Sequence, residues 1–218
     1  MRRFVIGTLL VLLTPTAAWA SNDPLFAQQW ALAKVGAEQA WSTGKGSGIT
    51  IAIVDSGVDL AHEDLAPKLV PGFDFVENDH DPRDENNHGT HVAGIAAAVT
   101  GNSRGVAGAA PDAKIMPVRV LDEEGEGGSD DVEAGIRWAT DHGARVINLS
   151  LGELTPIRLV LGSSIEDGLN YAWARGVVPV LAAGNDLVFP SGYGGVNAIA
   201  IAATDRNDGR PIYSNGTG

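Results

Sequence analysis

The chain alternates short, continuously apolar runs with longer segments in which apolar residues return every three or four positions. Ile49 to Val54 is β-branched and apolar almost throughout, the pattern of a strand buried on both faces. Ala113 to Val120, Arg145 to Leu151 and Val177 to Ala182 read the same way, with Pro179 as an interruption in the last. Between these runs lie amphipathic helices. Ser129 is placed as an N-cap, Asp130 and Asp131 suit the positive end of the helix dipole, and Val132, Ile136 and Ala139 form one apolar face before Gly143. Ser163 and Glu166 have capping-box spacing, with Ile165, Leu169, Ala172 and Trp173 on one side and Gly176 at the end.

Strand followed by helix, repeated, implies right-handed crossovers and a mainly parallel sheet covered on both faces, an α/β fold with three αβα layers. In such sheets ligands sit beyond the carboxyl ends of the strands. Polar residues at strand ends and helix starts are therefore the first candidates for chemistry.

Composition narrows the setting. With 218 residues, 44% of them hydrophobic, the chain can bury one sizeable core. Residues 1–20 read as a signal peptide: Arg2-Arg3 is the basic n-region, Phe4 to Leu13 the apolar core, and Ala18-Trp19-Ala20 a small-x-small cleavage site. That leaves residues 21–218 as one domain, expected to be secreted, or periplasmic where there is an outer membrane. No stable membrane association is expected after cleavage, because no later run approaches the roughly 20 residues of a span. The formal charge is −12, and removing two arginines makes it −12 − 2 = −14. A surface this acidic argues against nucleic acid and leaves carboxylates to bind calcium. There are no cysteines, so a secreted protein of this kind rests on its core, on bound metal, or on both.

Three polar positions stand out. Asp55 ends the first apolar run and precedes Ser56-Gly57, which alone is an ordinary turn signal. His88 opens His-Gly-Thr-His-Val-Ala-Gly, a helix of small residues expected to be packed inside the protein. At a helix N-terminus the partial positive charge disfavours imidazolium and so suits a general base. Asn185 ends Leu-Ala-Ala-Gly-Asn after another buried strand, where a carboxamide can donate toward an oxyanion. His91 is expected to point inward and pack. A zinc pair made of His88 and His91 is disfavoured, because the sequence places no carboxylate beside them.

In this order, Asp-Ser-Gly, His-Gly-Thr-His-Val-Ala-Gly and Ala-Ala-Gly-Asn resemble the subtilisin-like serine proteases. The likeness runs from Asn22-Asp23-Pro24 to the end and includes Gly108-Ala109-Ala110-Pro111, Val118-Arg119-Val120-Leu121 and Ser150-Leu151-Gly152. It implies an endopeptidase acting on protein or peptide substrates, expected to be monomeric. His88 would be the general base, Asp55 the residue that orients it, and Asn185 an oxyanion donor. Gly125, Glu126 and Gly127, with Ser150, Leu151 and Gly152, would be the two edges that pair with an extended substrate.

The resemblance also implies structural calcium. Asp23, Asp64 and Asn102 would supply side chains to a first site, and Val99, Arg104 and Val106 their backbone carbonyls. Asp74, Glu77, Asp79 and Asp81 resemble a second calcium loop. There a metal-free, solvated acidic loop is the equal alternative, since Arg83 stands where the family example has a neutral ligand.

The family's nucleophile lies in Gly-Thr-Ser-Met-Ala, and that string does not occur in this sequence. Ser56, Ser150 and Ser214 are not in a nucleophile context. The 218 residues on their own are thus expected to be inactive and C-terminally incomplete. The alternative reading is a catalytically inactive scaffold that binds peptides along the same edges.

Overall fold

The computed structural model describes residues 21–151, 164–185 and 196–216. Among them are six strands: β1 (Thr50–Asp55), β2 (Phe73–Asp74), β3 (Lys114–Arg119), β4 (Val146–Leu149), β5 (Val178–Ala182) and β6 (Ile199–Ile201). They form one sheet in the order β2-β3-β1-β4-β5-β6, and every pairing is parallel. The expected mainly parallel α/β architecture is therefore present. The signal-peptide reading and the Ser163 cap fall on residues outside the described ones.

Helices α1 (Trp30–Lys34) and α2 (Ala37–Ala40) precede the sheet, and α3 (His88–Ala97), α4 (Ser129–Asp141) and α5 (Ser164–Ala174) lie between its strands. The strand pleat sorts the core into two layers. Ala52, Val54, Met116, Val118 and Ile147 meet Val132, Ile136 and Ala139 of α4 and Ile165, Leu169 and Ala172 of α5. On the other face Ile53 and Ile115 meet Ala93 and Ala97 of α3. Fully burying a side chain such as Ile136 or Leu169 contributes about 1.5–3 kcal/mol.

Both prolines inside strands sit where no ladder bond is lost. Val70 N–H bonds to Ile115 O, so the odd residues of β3 face β2, and β2 pairs only from Val118 onward. Pro117 falls in the gap between the isolated Leu69–Ile115 bridge and that ladder. Likewise Val178 N–H bonds to Arg145 O, and Ala183 N–H to Ile201 O. The odd residues of β5 thus face β6, whose pairing starts opposite Val180, one residue after Pro179.

Three expectations are corrected. The first helical residue of α4 is Ser129 and its N-cap is Gly128, in extended conformation. Helix α3 buries only its Gly89, Ala93 and Ala97 face, while Ile95 is 66% exposed and His91 is also exposed. Small residues on every side of a helix allow close packing all round but do not bring a neighbour to each side. Trp173, assigned to the apolar side of α5, is 45% exposed.

Candidate active site

Asp55 is the last residue of β1 and is fully buried. His88 is the first residue of α3, with half of its side chain exposed. His88 Nδ1 lies 2.7 Å from Asp55 Oδ1, which also accepts the Ser56 backbone N–H at 2.8 Å. With Nδ1 donating to the carboxylate, Nε2 is left as the acceptor of the ring. Close approach makes this contact possible: a Cβ on Gly89 would collide with the Gly57 carbonyl oxygen, so α3 begins directly against the turn after Asp55.

The first turn of α3 is capped from a distance. Its local N-cap, Asn87, has φ of 81° and makes no side-chain cap. Instead Gly89 N–H bonds to Ser56 Oγ at 3.0 Å and Thr90 N–H to Asp84 Oδ2 at 2.9 Å. Burial pushes the Asp84 carboxyl up. The hydrogen bonds from Thr90, the Asn87 N–H and the Ser56 hydroxyl outweigh that effect and hold it below the usual carboxylate value.

His88 lines a cleft of about 690 Å³ together with Asn86, Gly125, Glu126, Gly127, Ser150 and Leu151. Both expected substrate edges therefore line one cleft; Gly152 lies outside the described residues. The Gly125 side is a built loop. Asp122 Oδ1 accepts the N–H groups of Glu124 and Glu126 at 3.0 and 2.9 Å, and Asp122 N–H returns to Glu126 O at 2.9 Å. A Cβ on Gly127 would strike the Val120 carbonyl oxygen, which is why the chain needs glycine there. Asp122 carries no motif, and its role could not be read from the sequence.

Asn185 follows β5 and lines an adjoining cavity of about 350 Å³ with Asn148, Ser150, Gly184 and Ser214. Ser150 belongs to both cavities, so they meet there. The turn before Asn185 is held by buried Asn215, whose N–H bonds to Gly184 O at 2.9 Å and whose Nδ2 donates to Ala183 O at 3.0 Å. Ser214 is buried as well; its Oγ accepts Ala203 N–H and donates to Asn215 O. Ser56 Oγ is committed to Asp84 and Gly89, and Ser150 Oγ accepts from Asn148 Nδ2.

The residues of the first calcium proposal come together. Asp23 accepts the N–H groups of Gly101 and Asn102, and Asp64 Oδ2 accepts Val106 N–H. Asp64 O accepts Val99 N–H, and Asn102 Nδ2 is 2.6 Å from Asp64 Oδ1. Arg104 turns its guanidinium to Glu63 at 2.8 Å, so its cation is engaged elsewhere. Asp23 and Asp64 are 4% and 1% exposed, and neither has a lysine or arginine partner among the described residues. Two buried carboxylates beside a carboxamide are oxygen donors of the type a hard cation takes, while the contacts they make here are all with N–H and O–H groups.

The second loop is arranged differently. Asp74 is buried against Arg119 at 3.0 Å and caps Val76 and Glu77 N–H, while Asp81 pairs with Arg83 at 2.6 Å. Asp74, Glu77, Asp79 and Asp81 do not converge as a metal cage. Among the described residues no three His, Cys, Asp or Glu side chains do, which also leaves the His88 and His91 pair without a third ligand.

Residues 46–217 match the model of the subtilase family of peptidases. Thermitase of Thermoactinomyces vulgaris is 50% identical over 201 residues, an alignment covering 90% of this chain and 70% of that protein. The thermophilic serine proteinase of Bacillus sp. (strain AK1) is 45% identical, covering 91% of this chain and 49% of that protein. A solved protease from Pseudoalteromonas arctica PAMC 21717 superposes with a TM-score of 0.78 at 35% identity, over 90% of this chain and 69% of that one.

Proposed function

Because this chain belongs to the subtilase family, we propose that it is a secreted serine endopeptidase that cleaves extended peptide segments through an acyl-enzyme. The observation that carries this reading is the 2.7 Å contact between His88 Nδ1 and buried Asp55 at the wall of a cleft lined by Gly125–Gly127 and Ser150–Leu151. Asp55 holds the tautomer in which Nε2 faces the reacting hydroxyl, and it stabilises the imidazolium formed when that hydroxyl attacks. His88 then returns the proton to the leaving amine. Asn185 donates to the tetrahedral oxyanion from the adjoining cavity. The reaction requires the serine of the family's Gly-Thr-Ser motif, a string these 218 residues do not contain, and the reading is of the protein that carries it.

Substrate backbone pairs with the two cleft edges, which requires an extended segment. Its acidic surface gives no basic footprint for nucleic acid, and it acts as a monomer. Asp23, Asp64 and Asn102, with the carbonyls of Val99, Arg104 and Val106, would hold a structural calcium ion, whose charge would offset the two buried carboxylates between the N-terminal segment and the loop after α3.

The test is hydrolysis of a quenched fluorescent peptide by the full-length protein. Turnover should be abolished by a serine-phosphonylating reagent and by His88→Ala. Peptide binding without any turnover would replace the protease reading with that of a peptide-binding scaffold.

A further inference from the structure

The segment that delivers His88 is stitched to the turn after β1 rather than to its own helix. Val58 N–H bonds to Pro82 O at 3.0 Å, and Asp84 N–H returns to Val58 O at 3.3 Å, a short parallel bridge between Val58 and Arg83. Beyond this bridge stands one carboxylate. Asp84 Oδ1 accepts Ser56 Oγ at 2.8 Å, Asn86 N–H at 3.0 Å and Asn87 N–H at 2.9 Å. Its Oδ2 accepts Thr90 N–H at 2.9 Å and Thr90 Oγ1 at 2.5 Å. Thr90 Oγ1 itself accepts Asp59 N–H at 2.9 Å.

We infer that Asp84 is a positioning residue for the proposed reaction, clamping the His88 end of α3 onto the strand end that carries Asp55. The inference rests on the protease reading for its catalytic consequence, but its geometry stands apart from it. Three bodies meet on this carboxylate: Ser56, next to Asp55 in the chain; Asn86 and Asn87, just before His88; and Thr90, two residues after it. Ser56 closes the loop, since its hydroxyl donates to Asp84 while accepting Gly89 N–H. His88 is thereby gripped on both sides, while the bond from Nδ1 to Asp55 orients the ring.

A carboxamide cannot replace this clamp. All five groups that Asp84 accepts are donors. In Asp84→Asn one orientation points the amide N–H₂ at the Thr90 N–H, and the other points it at Ser56, Asn86 and Asn87. Either way, donors face donors and the first turn of α3 moves. The charged groups around His88 are Asp55 below it, Asp84 and Glu85 on its own segment, Glu124 and Glu126 across the cleft, and Arg119, which is paired with Asp74 and Glu85. Arg119 is thus already neutralised, so an effect of Asp84→Asn on the His88–Asp55 bond runs through the position of the first turn of α3 and not through a freed cation.

The experiment compares full-length wild type, Asp84→Asn and Thr90→Val by two measurements. One is the downfield ¹H resonance of the His88 Nδ1 proton, which reads the bond to Asp55 without any need for turnover. The other is peptide hydrolysis, resolved into kcat and KM. Asp84→Asn should move and broaden the resonance and lower kcat by roughly 10- to 100-fold, the scale of a misplacement near 1 Å, with KM within about twofold. Thr90→Val removes one donor but keeps the backbone N–H, so it should shift both in the same direction by less. It decides the matter if Asp84→Asn does not fold. A folded Asp84→Asn protein with lowered Tm but wild-type resonance and kcat would overturn the inference and leave Asp84 a purely structural cap. If the wild type shows no turnover at all, the protease reading fails, and the resonance alone still decides the clamp.

Discussion

Asp55 and Arg119 are register partners at the carboxyl ends of β1 and β3, and each holds part of the segment that brings in His88. Asp55 binds His88 directly at 2.7 Å. Arg119 binds Glu85, three residues earlier, at 2.7 Å, and binds Asp74 of β2 at 3.0 Å. The strand ends thus present an alternation of charge from Asp74 to Arg119 to Asp55, roofed by Glu85 and His88.

This arrangement makes Arg119 far more important to stability than its exposed partner. Asp74 is 1% exposed, so Arg119→Met leaves a buried carboxylate without its cation, and breaking such a pair costs about 3–5 kcal/mol. Glu85 is half exposed, and Glu85→Gln should cost no more than about 1 kcal/mol. Denaturant midpoints of the two variants should differ accordingly. Equal, small losses would mean that Asp74 is not held by Arg119 in solution.

Removing the parts of the site should lower kcat while KM holds. Asp55→Asn supplies the wrong tautomer partner and should reduce kcat by about 10⁴-fold, the scale known for this substitution in serine proteases. Asn185→Leu should reduce it by about 10²–10³-fold, the loss of one oxyanion donor as measured within this enzyme class. A raised KM with unchanged kcat in Asn185→Leu would make that residue a ground-state contact instead.

Calcium should raise Tm through the cluster of Asp23, Asp64 and Asn102. Binding to the folded state alone adds RT ln(1 + [L]/Kd), about 2.7 kcal/mol at a hundredfold excess over Kd. Melting in calcium and in chelator, for wild type and Asp64→Ala, measures this directly. The variant should lose most of the calcium response, and identical responses would exclude the site.

Asp84 should shape the acid limb of the stability curve. Its carboxyl is held below the ordinary value in the folded protein, so its contribution is complete above the unfolded value of about 3.9. That contribution is lost as pH falls through the lower folded value. On a His88→Ala background, which prevents self-digestion, the stability gap between Asp84 and Asp84→Asn should be widest near neutrality and close below about pH 4. A gap independent of pH would show that packing, and not the charge, sets the role of Asp84.

The sequence by itself determined the elements whose signals are local. β1, β3, β4 and β5 appear within a residue or two of their expected limits, because β1 and β3 are almost continuously apolar and buried, while β4 and β5 alternate buried with half-buried residues. Helices α4 and α5 follow the spacing of Ile136 and Ala139, and of Ile165, Leu169 and Ala172. The positions of Asp55, His88 and Asn185 at a strand end, a helix start and the turn after β5 could be read from local signals, and the structure brings Asp55 and His88 into contact. What only the tertiary structure decided depends on residues distant in the chain. Asp84 reads as one more acid in an acidic loop until Ser56, 28 positions away, is seen to donate to it. Asp74 reads equally as a metal ligand or as part of a solvated acidic loop, and only the fold brings Arg119, 45 positions on, beside it. Pro117 and Pro179 look like strand breakers until the neighbouring ladders are found to begin just beyond them. For the carboxylates the deciding energy comes from satisfying a charged group away from bulk water, and for the prolines from whether a missing N–H is needed; both are set by strand order and register, for which a single chain carries no periodic signal.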